Sequence, residues 1–300
     1  MTYPEPSFSV DVDVTNPGHF FACCGLLELA HRLWPGAEAW FHAKNRRFAV
    51  QVGDAEPSLR LLIHSLKECT VAGLTQQESD EQRALEQERR DHGKTFLAEK
   101  EQRRQELGEQ AREGTLRIAE PVGLLLDWWK SDEATVKTWA GRQEIHKIAR
   151  AAQDALPGIN DPTPLFDYGC IMRMPEEYCK GKLGRKKPVA PFYFDARRFA
   201  HPLHAGFSLD VLEAETTAHP AVELLSLIGL QRFRPRPAPV KWSFDYWVWS
   251  RPLGAPVAAG VASGSVPAPD REGYRFPLRF RDDQKRYKAF GWATTIGDHK

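Results

Sequence analysis

The chain has 300 residues, 42% hydrophobic and 27% charged, enough for one large domain or two ordinary ones with a substantial core. No stretch reaches the roughly 18 uncharged apolar residues that a membrane span requires, and the first residues lack the basic and apolar regions of a signal peptide, so a cytoplasmic location is expected. The formal net charge of +1 hides an asymmetry: residues 171–300 hold 21 Lys and Arg against 13 Asp and Glu, while the remainder holds 20 against 27, so an anionic partner is to be sought in the second half.

Phe8, Val10, Val12 and Val14 alternate with Ser9, Asp11 and Asp13, the period of a strand with one face on a core. A helix follows at once. Thr15 or Asn16 can cap it, Pro17 suits a first helical position, and Pro35-Gly36 stops it. Phe20, Phe21, Ala22, Cys23, Cys24, Leu26, Leu27, Leu29, Ala30 and Leu33 make it apolar nearly all round, so it should be covered on most sides and serve as the central packing element.

Next, Ala39-Trp40-Phe41 and the strand-like run ending at Val52 flank the polar turn Lys44-Asn45-Arg46-Arg47, and Pro57 opens a short helix that Gly73 ends. Residues 76–114 change abruptly to Glu, Gln, Arg and Lys. Such a segment is helical by propensity but has little to bury, so it is expected to be a charged helical insertion, either split at Gly93 into a hairpin of two helices or a long arm that orders against a partner. Leu124-Leu125-Leu126-Asp127-Trp128-Trp129 reads as a strand. A second strong helix is then predicted from Ser131 to Pro157-Gly158, with Val136, Trp139, Ile145, Ile148, Ala149, Ala152 and Leu156 on one face. Its other face, with Lys137, Arg142, His146, Lys147, Arg150 and Gln153, could meet phosphate.

Residues 159–210 read as loops around short strands such as Pro191-Phe192-Tyr193-Phe194-Asp195, and a third helix is predicted from about Pro220 to Phe233. Trp242, Phe244, Tyr246 and Val248 alternate as a strand, with further strands predicted at Val257 to Val261 and Tyr274 to Phe280. Strands and helices mix without a regular βαβ repeat, which makes the chain α+β: one domain over residues 1–300, with a shift of charge near 160–170 as the one candidate boundary.

Searches for catalytic signatures are negative. Gly93-Lys94-Thr95 resembles the end of a phosphate-binding loop, but that motif needs a first glycine six positions before the lysine, where Glu88 stands. Cys170, Cys179, His201 and His204 include zinc-ligand types at a spacing that fits no standard knuckle, and Cys23-Cys24 lies in an apolar helix where burial is the ordinary explanation. No metal or other cofactor is therefore expected. The cationic features say more. Lys180, Lys182, Arg185, Lys186 and Lys187 place five cations in eight positions with Gly181 and Gly184 between them, which suits a loop that approaches phosphates or enters a groove. Arg197-Arg198 and the run Arg232-Phe233-Arg234-Pro235-Arg236 add donors among aromatic residues that could stack on bases or simply pack.

Several blocks carry a resemblance: the stretch from Asn16 through Cys23-Cys24-Gly25 to Ala30, then Asp127-Trp128-Trp129, Thr138-Trp139-Ala140-Gly141, Pro191-Phe192-Tyr193-Phe194-Asp195 with Arg197-Arg198, and the stretch from Pro220 through Gly229-Leu230-Gln231-Arg232 to Pro235. Together, over about residues 7–250, they resemble the small large-subunit family of type I-U (also I-G) CRISPR effector complexes, relatives of the Cas-eight subunit of Cascade. The resemblance implies a non-catalytic subunit of an RNA-guided antiviral effector. Such a subunit would recognise the protospacer-adjacent motif in double-stranded target DNA, help form the R-loop and recruit a separate helicase-nuclease (Cas-three). Its partners would be the CRISPR guide RNA, the target DNA and the backbone and other Cascade subunits. On this reading Lys180, Lys182, Arg185, Lys186 and Lys187 contact phosphate or a groove, and Arg197 and Arg198 contact the displaced strand or the guide end. Asn16 is a further candidate, since an Asn amide can pair with an adenine edge, although capping also accounts for it. The alternatives are a subunit that holds the end of the guide RNA without reading duplex, and a metal-dependent nuclease built on scattered carboxylates.

Overall fold

The structure, a computed structural model, describes residues 4–53, 57–131, 136–140, 143–158, 160–161, 163–178, 187–198, 217–281 and 285–297. The fold is α+β, built of helices and antiparallel sheets. Strand β1 (Phe8–Asp11) leads into α1 (Pro17–Leu33), where the Asn16 side chain accepts from Gly18 N at 3.0 Å, and Gly36 turns the chain away at φ +82°. Every residue of α1 from Pro17 to Ala30 is buried, as its all-round apolar sequence predicts.

Two sheets flank α1. In the first, β1 pairs with β3 (Arg47–Gln51), which pairs with β2 (Glu38–His42), and β9 (Leu253–Gly254) adds to β2. In the second, β8 (Ser243–Val248) lies between β7 (Arg236–Pro237) and β10 (Glu272–Phe280), and β11 (Lys288–Phe290) and β12 (Thr294–Thr295) pair with β10. The sequence of α1 sets which ring meets which sheet. Phe20 stacks on Tyr246 of β8 at 4.3 Å and faces Phe41 of β2 at 5.7 Å, while its neighbour Phe21 meets Phe276 of β10 and Phe290 of β11, each at 6.1 Å. All six residues of β8 are buried, so the alternation read from its large apolar residues understates its burial.

The remaining face of α1 lies against the other buried helix, α6 (Pro220–Arg232), and there the two backbones almost touch. A Cβ added at Gly25 would stand 2.1 Å from the Leu225 carbonyl oxygen, and one added at Gly229 would stand 2.2 Å from that of Phe21. Only glycine allows this crossing. Polar groups close it at either end: Ser226 Oγ donates to Gly18 O at 2.8 Å, and the buried Glu28 carboxylate takes both Arg32, at 2.8 Å, and Arg232. Burial opposes ionisation of Glu28, but the two guanidiniums hold its carboxyl below the ordinary value.

The charged insertion forms a hairpin of α3 (Gln76–His92) and α4 (Ala98–Glu113) that turns at Gly93, the first of the two arrangements its sequence allows. Thr75 and Glu78 make a capping box at its start, and cross-links such as Arg103 to Glu81 at 2.8 Å and Arg89 to Glu101 at 3.0 Å join its arms. Its base is part of the fold, because Leu85, Leu107 and Ala111 are buried and Trp129 Nε1 donates to Glu113 O. Beside it, α2 (Leu59–Glu68) and a small sheet of β4 (Val71–Ala72), β5 (Leu116–Ile118) and β6 (Leu124–Leu126) complete the first half.

Several predicted elements differ: the short strand expected at 191–195 is irregular backbone, Trp128 and Trp129 form a 3-10 turn after β6, and two larger elements change as well. Among the described residues, the helix expected from Ser131 is only α5 (Ile145–Asp154), because residues 136–140 before it are drawn into tertiary contacts. Thr138 Oγ1 donates to Phe192 O, Thr138 O accepts from Lys288 N, and Trp139 packs among Trp128, Trp129 and Phe192. Nor is the polar face of α5 open to phosphate: His146 and Gln153 are buried, with Gln153 Nε2 donating to Leu66 O and Cys69 O, while Lys147 pairs with Glu144 and Arg150 with Asp154. The strand expected at Val257 to Val261 is helix α7 (Ala255–Ala262), capped by Gly254 and started by Pro256; Ala255, Ala258, Val261 and Ala262 point inward at helical spacing.

Gly25→Ala should therefore lower stability by about 3 kcal/mol or more, the upper end for overpacking, because the obstacle is backbone and cannot rotate away. Gly53→Ala is the control: no atom lies within 4 Å of the added carbon, so the change should stay within about 0.5 kcal/mol. Urea denaturation measures both, and an unchanged midpoint for Gly25→Ala would contradict the crossing.

Candidate nucleic-acid interface

Two polar assemblies stand out, one inside the protein and one on its surface. The first gathers at the adjacent N-termini of α1 and α6. Asp195 is fully buried; its Oδ1 accepts from Asn16 Nδ2 at 2.8 Å and Arg197 N at 3.0 Å, its Oδ2 accepts from Arg197 Nη2 at 2.7 Å, and His219 Nδ1 lies 2.9 Å from Oδ2. Asn16 Oδ1 also accepts from Ala196 N, and Arg197 reaches Asp167 at 3.1 Å and Phe166 O at 2.6 Å. Burial opposes ionisation of Asp195, but hydrogen bonds from His219 and Arg197 outweigh it and hold the carboxyl well below the ordinary range.

One turn into α6, the buried Glu223 carboxyl accepts from Phe194 N at 3.2 Å and Asp195 N at 3.3 Å. Burial, with the charge of Asp195 added, pushes it up to about 7. His19, also at the edge of this group, is pushed down to about 4, chiefly by burial, and its Nδ1 accepts from Asp13 N. These bonds tie residues 194–197 to the ends of both central helices. The arrangement positions backbone, and its acidic groups are committed inside the protein.

The second assembly lies at one end of the sheet containing β8 and β10. The turn entering β8 carries Lys241 and Trp242; the turn between β10 and β11 carries Arg281, Lys285, Arg286 and Tyr287. A bond from Leu278 N of β10 to Trp242 O, at 2.7 Å, ties the first turn to the strand that leads into the second. Cations and rings then interleave. Lys288 and Lys241 stand 4.9 and 5.7 Å from the Trp242 ring centre, Trp242 meets Phe280 edge to face at 5.3 Å, and Lys285 lies 5.8 Å from Phe280. Arg281 stacks 3.4 Å from the Tyr193 ring centre and lies 5.3 Å from Tyr287, and Arg198 approaches Tyr193 at 5.5 Å. Half-burial and the nearby Lys137 lower the pKa of Lys288, a sign of cations crowded together. The outer face of the same sheet bears Arg236 and Arg271 over Trp247, with Asp245 as counter-charge to Arg275 at 2.7 Å.

The structure distributes the sequence-predicted residues unevenly. Lys180, Lys182, Arg185 and Lys186 lie outside the described residues, as do Cys179, His201 and His204; Lys187 is exposed, and its carbonyl accepts from Met174 N at the loop's end. Asn16 is buried with its amide spent on Gly18, Ala196 and Asp195, which makes it a cap and clamp and leaves no edge for a base. Arg197 is held by Asp195 and Asp167, whereas Arg198 joins the cation and ring surface. The run from Arg232 splits: Arg232 pairs with Glu28, Phe233 is core, and Arg236 is exposed over Trp247. Sequence reasoning missed the turn before β11, although residues 279–288 hold five Lys and Arg with Phe280 and Tyr287; Asp282 and Asp283 dilute the run and lie outside the described residues. Comparison of the chain with family models, with curated proteins and with solved structures finds no match.

The internal cluster makes a pH prediction. A carboxyl that titrates at about 7 in the fold and near 4.5 when unfolded binds its proton more tightly in the folded chain, so Glu223 increasingly destabilises the fold as pH rises through that window. Glu223→Gln has no such proton to lose. Its stability relative to the parent chain should rise between pH 5 and pH 8 in urea denaturation; a difference constant with pH would place Glu223 at an ordinary value.

Proposed function

We propose that this protein is a non-catalytic subunit of an RNA-guided, Cascade-type effector, the class its sequence resembles, acting in the cytoplasm. In this role it binds target DNA next to the protospacer-adjacent motif, aids opening of the strands and presents the complex to a helicase-nuclease, while guide pairing reads the sequence. The observation that carries the nucleic-acid reading is the meeting of the two turns, where Lys241, Lys285, Lys288, Arg281 and Arg286 surround Trp242, Phe280 and Tyr287. Ammonium and guanidinium groups supply phosphate contacts, and rings among them can also meet bases, a combination that a merely solvated charged surface does not need. The basic loop ending at Lys187 is a second phosphate-contacting element on this reading, and Arg198 extends the surface toward the displaced strand or guide end.

Neutralising Lys241 and Lys285 together should weaken binding of a short DNA duplex and lower the slope of log affinity against log salt by about 2, since each lost phosphate contact removes roughly 0.9. Melting should be unchanged within about 0.5 kcal/mol, because Lys241 and Lys285 are exposed. Fluorescence anisotropy over a salt series makes the measurement, with the isolated chain and with the chain co-purified with its guide RNA. Binding that ignores salt, or no binding in either form, would overturn the reading; an unchanged slope in the variant would remove these two lysines from the contact.

A further inference from the structure

Three residues at this end of the sheet hold backbone in the left-handed region: the buried Tyr193 at φ +65°, and the exposed Trp242 at φ +61° and Lys285 at φ +56°. Clashes of Cβ with the backbone disfavour that region for every residue except glycine and, to a lesser degree, Asn and Asp; a bulky side chain stays there only where its surroundings impose it. At Trp242 the surroundings are visible. Its carbonyl is pinned by Leu278 N and its ring is braced edge-on by Phe280. The result is a tryptophan 37% exposed, although the neighbouring strand β8 is buried throughout. Burial would favour drawing so large a ring inward, so the strained turn holds the indole against that tendency, with the ammonium groups of Lys241 and Lys288 over it, where an incoming base would displace them toward its own phosphates.

Resting on the nucleic-acid reading above, we propose that Trp242 is a stacking site for one unpaired base, with Lys241 and Lys288 contacting the phosphates that flank it, so that the ligand at this point is a single strand. In a closed duplex the faces of each base are covered by its neighbours, and an exposed indole has nothing to stack on. A single strand offers both a free base face and phosphates within reach of the cations at the ring. DNA and RNA strands share this chemistry, and the sugar distinguishes them only in the measurement.

The test uses 20-nucleotide strands of oligo-dT, oligo-U and a matched strand of abasic sites, which keeps the phosphates and removes the bases. The parent chain should bind the better of oligo-dT and oligo-U about 5- to 150-fold more tightly than the abasic strand, the worth of one stacked base, and which of the two binds better identifies the strand. Trp242→Asn tolerates the left-handed turn and removes the ring; it should lose that advantage and bind the abasic strand within about twofold of the parent, while Trp242→Phe recovers most of it. Equal binding of base-bearing and abasic strands by the parent chain would overturn the proposal without any variant. So would equal losses on both strands in Trp242→Asn. Should neither single strand bind while the duplex still binds with its salt dependence, this inference fails and the nucleic-acid reading stands; loss of all binding would remove both.

Discussion

Two helices buried on all sides can lie together only if their backbones come close, and here that closeness rests on Gly25 and Gly229. A methyl group at either would meet a carbonyl oxygen at about 2 Å, so the separation of α1 and α6 is set by the absence of side chains at the crossing. Much else takes its place from that separation. Ser226 reaches Gly18 O, Glu28 spans to Arg232, and the N-termini of the two helices come near enough for Asn16, Asp195, His219 and Glu223 to form one network. Removing one partner from such a buried network leaves a charge or donor without compensation, which is why its members specify position more than they add net stability.

From α1 the constraint passes outward through rings. Phe21 fixes the inner faces of β10 and β11 through Phe276 and Phe290, and Phe290 in turn packs on Phe194 of the segment that Asp195 anchors. Tyr193, adjacent to that segment, lies under Arg281, while Phe290 N bonds to Tyr193 O. The same few residues thus join the core to the turn that presents the cations. A surface of this kind needs a stiff support, because a ring offered to a base, or a guanidinium offered to a phosphate, loses affinity with every conformation it must give up on binding.

Helix α1 was legible in full, since Asn16, Pro17 and Pro35-Gly36 mark its ends locally and its apolar run declares its burial. The α+β class and α6 were legible for similar reasons, and Gly93 marked a hairpin as one of two arrangements of the charged segment: propensity and punctuation act within a few residues. Failures came where distant partners decide. Trp139 fits a helical stripe but is claimed by a cluster of tryptophans, beside Thr138 bonded to Phe192 O, and Val257 to Val261 reads as a strand although Gly254 and Pro256 signal a helix start. The candidate surface was hidden for the same reason, because Lys241-Trp242 and Lys285 to Lys288 are about forty positions apart and meet only through strand pairing. Charge density at Arg197 was visible, but not that a buried carboxylate, Asp195, would take it up.

On the function proposed above, nucleic acid lies on the end of the sheet where these two turns meet. Photo-cross-linking of the assembled complex to target DNA or guide RNA carrying halogenated or thio-substituted pyrimidines, followed by mass spectrometry of the attached peptides, reads the contact directly. Adducts should concentrate on Trp242, Tyr287 and their neighbours in the two turns, since aromatic side chains next to bases are the reactive partners. Adducts confined to the opposite sheet, around Trp40 and Phe48, or to the arms of the charged hairpin, with none on these turns, would contradict the account.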